Sequence, residues 1–328
     1  MAISEKLNRI GRIIRVVYLR KFIHVARKIK LPGFQGVSLW EIIFFFLYSL
    51  RKGLIGMRAG AVAFHFFLAI IPFGLVLVVL TSYTPGISIE SDIAPVVSAL
   101  IPDQLVAELM KGMDEYENSS VSSLISFGFV FALYFASNGF NVLIKAFNSS
   151  KIEFAKREKW WSIRLVSFGF VVVFLVALIA VFYMLILVRK GFNIWADSSN
   201  LINDYFTEIY ITTDIIFLGL FVYSMVAFIY YFGPRKKKGF TFFSPGASLA
   251  FFLIVVISIF YQLYISNFAN YNALYGSLGT FIMVMLYVYM ISFALLIGFE
   301  LNASIHGAIQ QKKLNNLDAL EKRYDKTT

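Results

Sequence analysis

Apolar residues run through this chain in long blocks, and the charged residues collect between them. Six blocks, at about 58–82, 122–144, 163–188, 211–232, 245–267 and 279–303, have the length of a bilayer crossing. A helical crossing takes roughly 20 mostly apolar residues at a rise of about 1.5 Å each. A seventh apolar stretch, 37–50 (VSLWEIIFFFLYSL), is about 14 residues long and contains Glu41. That length predicts an interfacial or re-entrant helix rather than a span. The fold class expected is therefore all-α: a polytopic membrane protein of six transmembrane helices, with N-terminal and external amphipathic helices.

Three flanking pieces carry the amphipathic pattern. In the N-terminal arm Ile3, Leu7, Ile10, Ile14 and Val17 recur at helical spacing among Arg9, Arg12, Arg15 and Arg20. A basic helix of this kind suits the anionic surface of an inner leaflet, or the protein's own cytoplasmic face. Between the first two spans, Ile93, Val97, Leu100 and Ile101 precede Pro102, and Leu105, Val106, Leu109 and Met110 follow it. This predicts two short external helices with one apolar face. The 191–210 connection, with Trp195, Leu201, Ile202, Tyr205 and Phe206, has the same character. The expected organisation is a basic cytoplasmic arm (1–36), a membrane domain (37–305) that includes the interfacial helix, and a cytoplasmic tail (306–328).

Charge gives the orientation. Residues 1–35 hold nine Lys or Arg and one acid, whereas the 83–121 connection holds seven acids and one base. The basic character returns at 145–164, vanishes at 191–210, returns in Arg235, Lys236, Lys237 and Lys238, and vanishes again at 268–278. Lys and Arg stay on the cytoplasmic side of short loops, so the alternation predicts both termini in the cytoplasm and favours six crossings. The first 35 residues lack the short basic stretch, apolar core and small-residue cleavage site of a signal peptide.

Composition agrees. The chain is 59% hydrophobic and 15% charged, against about 45–50% and 25% in soluble domains. The net charge of +11 falls beside apolar runs, which points to anionic lipid headgroups as partners rather than nucleic acid. Without cysteine there is no disulfide, thiol catalysis or thiolate metal site.

Polar side chains inside spans are costly and face a bundle interior or a watery cavity. His65 lies about two turns into the first span, and Asn138 and Asn141 lie in the second, with Lys145 at its inner end. Glu300 and Asn302 sit near the inner end of the sixth span, and Arg58 opens the first. Arg58, Lys145 and Glu300 share one depth, so a polar cluster is expected. It would hold a headgroup, an ion or a proton, or else fix helix register through a salt bridge and hydrogen bonds. Pro72 interrupts the first span and predicts a kink. Gly56, Ala59, Gly60 and Ala63 predict a close helix contact.

The three histidines are dispersed, and no HExxH, GxxxxGK[ST] or GxSxG pattern occurs. The sequence thus points to no cofactor, no metal and no enzyme.

Four segments carry a family resemblance: 58–72 (RAGAVAFHFFLAIIP), 138–151 (NGFNVLIKAFNSSK), 233–250 (GPRKKKGFTFFSPGASLA) and 275–303 (YGSLGTFIMVMLYVYMISFALLIGFELNA). Together they resemble the YihY/BrkB family of bacterial inner-membrane proteins, over roughly 37–305. Phe299 and His65 depart from the family's pattern. The resemblance implies six spans and points to envelope integrity and the movement of a lipid or lipid-linked precursor. A former label of the family as a tRNA-processing ribonuclease is regarded as mistaken. The leading functional expectation is a transporter or flippase-like protein for an amphipathic envelope molecule. The alternative is a non-transporting scaffold or accessory subunit whose external helices dock an envelope protein. A membrane-embedded enzyme and a channel stand behind these.

Overall fold

The computed structural model describes residues 37–52, 54–82, 122–150, 160–199, 203–234, 241–267 and 277–324. The basic arm, the segment around Pro102 expected to form external helices, and the basic residues 235–238 lie outside these residues. All regular structure described is helical: α1 (Leu39–Lys52), α2 (Ile55–Ser82), α3 (Ser122–Asn148), α4 (Trp160–Ser199), α5 (Asn203–Phe232), α6 (Pro245–Asn267) and α7 (Ser277–Tyr324).

Local sequence explains several starts. Ser38 and Glu41 form a capping box before α1, each side chain accepting the other's backbone N–H at 3.4 Å. This satisfies donors that a helix start leaves without partners. At α6 the Ser244 hydroxyl accepts the Ala247 N–H at 3.2 Å, and Pro245 occupies the first helical position, where its missing N–H costs nothing. Between α1 and α2, Leu54 has φ of 48°, a left-handed conformation unfavourable for a side chain with a Cβ.

Four helices are long and apolar enough to cross a membrane: Trp160–Leu185, Thr212–Phe232, Pro245–Tyr264 and Phe281–Asp318. The pair Leu39–Arg51 and Ile55–Ile70 meets the same test jointly but is bent by 67°. Among the described residues this makes a multi-pass protein of four to five spans, compatible with the six expected. Side chains of 71–82 and 122–129, within the first two expected spans, lie outside the description. The backbone of α2 stays helical through Pro72, and the sharp turn of this region lies before it, between α1 and α2. Two helix lengths also differ from expectation. α4 runs to Ser199, and α7, 48 residues long in all, continues past the expected tail boundary to Tyr324.

The helices close a ring in chain order: α2 on α3, α3 on α4, α4 on α5, α5 on α6, α6 on α7 and α7 back on α2. Aromatic side chains fill the centre. Phe147 stacks on Phe299 at 4.1 Å between centroids, and Tyr230 meets both rings edge-on. The buried Tyr230 hydroxyl donates to the Leu295 carbonyl, as a phenol away from water must. The small stripe on α2 packs as expected: Ala59 and Ala63 are fully buried, and Gly56 lies against the Tyr289 side chain of α7.

α1 stands outside the ring. Its Val37-side face packs on α7 through Ile42, Ile305 and Ala308, while Phe44, Leu47 and Tyr48 are exposed. By length, composition and the 67° bend, α1 and α2 together have the form of a broken span or a re-entrant loop. Leu165, Val176, Leu220, Phe252 and Phe260 are likewise exposed on the ring's outer face, an apolar surface that only lipid solvates well.

Candidate functional site

Glu300 sits on the face of α7 that also carries Leu296, Phe299 and Ala303, the 3–4–7 spacing of one buried stripe. Its side chain is 0% exposed. A carboxylate there requires compensation, since an unpaired charge in an apolar interior is very costly. Arg58, in the first turn of α2, supplies it: Nη1 donates to Oε1 at 2.7 Å, and the arginine side chain is only 12% exposed. The other carboxylate oxygen accepts from Ser150 Oγ at 2.8 Å and from Ser49 Oγ. Arg58 Nη2 donates to the Ala146 carbonyl, one of the α3 carbonyls that a helix end leaves without an intrahelical partner. One ion pair therefore fastens α1, α2, the end of α3 and α7.

A second polar group lies apart from the first. Asn138 Nδ2 is 3.1 Å from His65 Nδ1, and Arg164 Nη1 donates to Asn138 Oδ1 at 3.4 Å. With the amide so oriented, Nδ1 accepts and the neutral imidazole carries its proton on Nε2. The Arg164 guanidinium also lies over the Tyr134 ring, 4.9 Å from its centroid. Among the described residues no carboxylate pairs with Arg164.

Asn302 belongs to a third arrangement. Its Oδ1 accepts the Gly246 N–H at 2.8 Å and its Nδ2 donates to Ser244 Oγ at 2.8 Å, so it closes the start of α6 from α7. The backbones touch here. A Cβ on Gly246 would stand 2.2 Å from the Gly298 carbonyl oxygen, so both positions require glycine. Asn141 is 3% exposed, and its Oδ1 has no hydrogen-bond partner among the described residues. Lys145 is exposed. The seven polar residues singled out by sequence thus separate: Arg58 with Glu300, His65 with Asn138, Asn302 at α6, and Asn141 and Lys145 in neither pair.

A groove of about 620 Å³ opens sideways between α3 and α4. From α3 it is lined by Val130, Leu133, Tyr134 and Ser137, and from α4 by Trp161, Arg164, Leu165 and Phe168. Both sets have the same 3–4–7 spacing, so one stripe of each helix forms each wall. The volume falls in the range of small-molecule sites, roughly 300–1,000 Å³. Arg164 is the one charged side chain in the lining. Sequence reasoning missed it because it was counted among the topology charges; a basic residue one turn inside an aromatic boundary, on the stripe of Trp161 and Phe168, is the signal that could have found it. Ser49 and Ser150 were also missed, and short hydroxyls beside an apolar run carry no such signal.

Comparison with known proteins places these features. A family model described as Virulence factor BrkB matches residues 47–322, a range that holds the Arg58–Glu300 pair, both groove walls and the α6–α7 contact. The ribonuclease-like protein YfkH of Bacillus subtilis is 27% identical over 267 residues, covering 81% of this chain and 94% of that protein. The UPF0761 membrane protein PSHAa0171 of Pseudoalteromonas translucida is 34% identical over 84 residues, 25% of this chain and 28% of the relative. No solved structure matches. The family is one of membrane proteins and not a known enzyme family. With its multi-pass helical ring and a match over most of its length, the chain belongs to the Virulence factor BrkB family.

Proposed function

We propose that this chain is an inner-membrane protein of six crossings, with both termini cytoplasmic, that moves an anionic amphiphile of the cell envelope in a flippase-like manner. The observation that carries this reading is the lateral groove between α3 and α4, apolar along its walls and bearing the single cation Arg164. An amphiphile would keep its tail in lipid while its headgroup followed the protein. The sequence holds no nucleotide-binding motif, so movement is downhill, ion-coupled or driven by a partner. Reconstitution into liposomes with fluorescent anionic lipids tests it: transbilayer movement should exceed that of empty vesicles. No excess across several headgroups removes the reading.

One observation favours a second reading, a scaffold or accessory subunit for envelope assembly. The Arg58–Glu300 pair is closed, with both carboxylate oxygens occupied by protein donors, which suits a fastening better than a headgroup site. Under this reading, photocrosslinkers placed across 93–110 recover one dominant envelope protein, and charge changes at Arg58 act only through stability.

A further inference from the structure

The groove walls pose a specific electrostatic problem. Arg164 stands one turn inside the start of the apolar span Trp160–Leu185, where low dielectric strengthens any interaction with an anion. Its contacts are the neutral Asn138 amide and the Tyr134 ring face. The bond to Asn138 uses one of the five guanidinium donors. Beside it, Trp161 is exposed, and Trp160 and Trp161 meet edge to face at 4.6 Å. Paired indoles at a span boundary mark headgroup depth. From Trp161 the wall runs about 10 Å along the α4 axis to Phe168, with Leu165 and, across the groove, Val130 all exposed. Along α4 the indole pair comes first, the cation lies one turn deeper and the apolar channel runs on beyond it, so a headgroup at indole depth has its phosphate within reach of the long Arg164 side chain and its acyl chain beside the channel.

We propose that the α3–α4 groove is a binding site for an anionic phospholipid of the leaflet in which α4 begins, its phosphate on Arg164 and one acyl chain along Leu165, Phe168 and Val130. The choice of lipid as ligand rests on the lipid reading above, but binding and movement are separable. A protein that binds yet moves nothing retains this site and loses only the proposed function.

The test uses the full chain in phosphatidylcholine nanodiscs containing phosphatidylglycerol, with acyl-chain bromine placed on one lipid or the other at equal mole fraction. Quenching of tryptophan emission reports which lipid occupies the groove. Wild type should prefer the brominated phosphatidylglycerol by about fivefold, the effect expected of one cation near an anionic headgroup. Arg164→Gln should remove the preference, whereas Arg51→Gln, an exposed cation outside the groove, should leave it intact. Should Arg164→Gln fail to fold, Val130→Trp decides. It fills the groove from an exposed position without changing charge, and it should reduce the contribution of bound lipid as strongly when measured by co-purified phosphatidylglycerol in native mass spectrometry. Equal quenching by both lipids in wild type, or equal losses in the Arg51 and Arg164 variants, overturns the proposal. So does a photocrosslinker at Leu165 that captures protein instead of lipid.

Discussion

Glu300→Leu removes the acceptor that α1, α2 and α3 share, and the structure sets the size of the damage. The Arg58 guanidinium, 12% exposed, would face an apolar surface without its counter-charge. Breaking one side of a buried pair costs about 3–5 kcal/mol. Ser49 and Ser150 each lose a charged acceptor, worth about 1 kcal/mol apiece after their hydroxyls reorient. Glu300→Leu should therefore destabilise the protein by about 5–7 kcal/mol, and Arg58→Met by about 3–5 kcal/mol. Arg58→Met combined with Glu300→Leu replaces both charges with apolar groups, which is often close to neutral, so the double variant should fall within about 2 kcal/mol of wild type. Reversible unfolding by dodecyl sulfate in mixed micelles, followed by helical circular dichroism, measures all four corners of the cycle. Single variants within about 1 kcal/mol of wild type, or losses that simply add, would refute the fastening argument. The same proteins separate fastening from function. A stable double variant that still moves lipid makes the pair structural, while a stable one that moves none makes it part of the substrate path.

Other expectations follow from single positions. Gly246→Ala or Gly298→Ala forces a Cβ to within 2.2 or 2.5 Å of a facing backbone oxygen, and each should cost about 1–3 kcal/mol or more, read as a lower thermal midpoint in detergent. Leu54→Gly relieves a positive φ at a residue 65% exposed, so it should stabilise by up to about 1 kcal/mol; a clear loss would mean that the left-handed turn is held by the leucine side chain. Reporter fusions at Asp114 and Lys237 should land on opposite sides of the membrane, and the same side for both would dismantle the proposed threading.

Much of the fold was legible because the membrane imposes a simple rule on sequence: long uncharged runs such as 168–188 must be buried in something apolar. Charge alternation then gave the orientation proposed above. The Arg58–Glu300 pair was also within reach, since both residues share a depth and opposite sign. Depth alone did not place Lys145, however. It lies off the stripe of Leu143, Ile144 and Phe147, which are buried, so the direction in which a side chain points around its helix decided against it. Asn302 shared the depth of Glu300 but serves α6, because the glycine contact at Gly246 and Gly298 brings that helix start within reach. Nothing in a one-dimensional pattern reports such a close approach. A break between 37–50 and 58–82 was expected from the two separate apolar blocks, but not that Leu54 would take the left-handed turn. The proline at 72 was the conspicuous breaker, whereas the turn came at a leucine that local sequence would leave helical or extended.

The continuity of α7 has a mechanical consequence. Beyond its contact with α1 at Ile305 and Ala308, the helix proceeds without interruption to Tyr324, a rod of about 25 Å. A stiff arm pivoting at that contact converts a change of lean of about 10° into a sweep of about 4 Å at its tip.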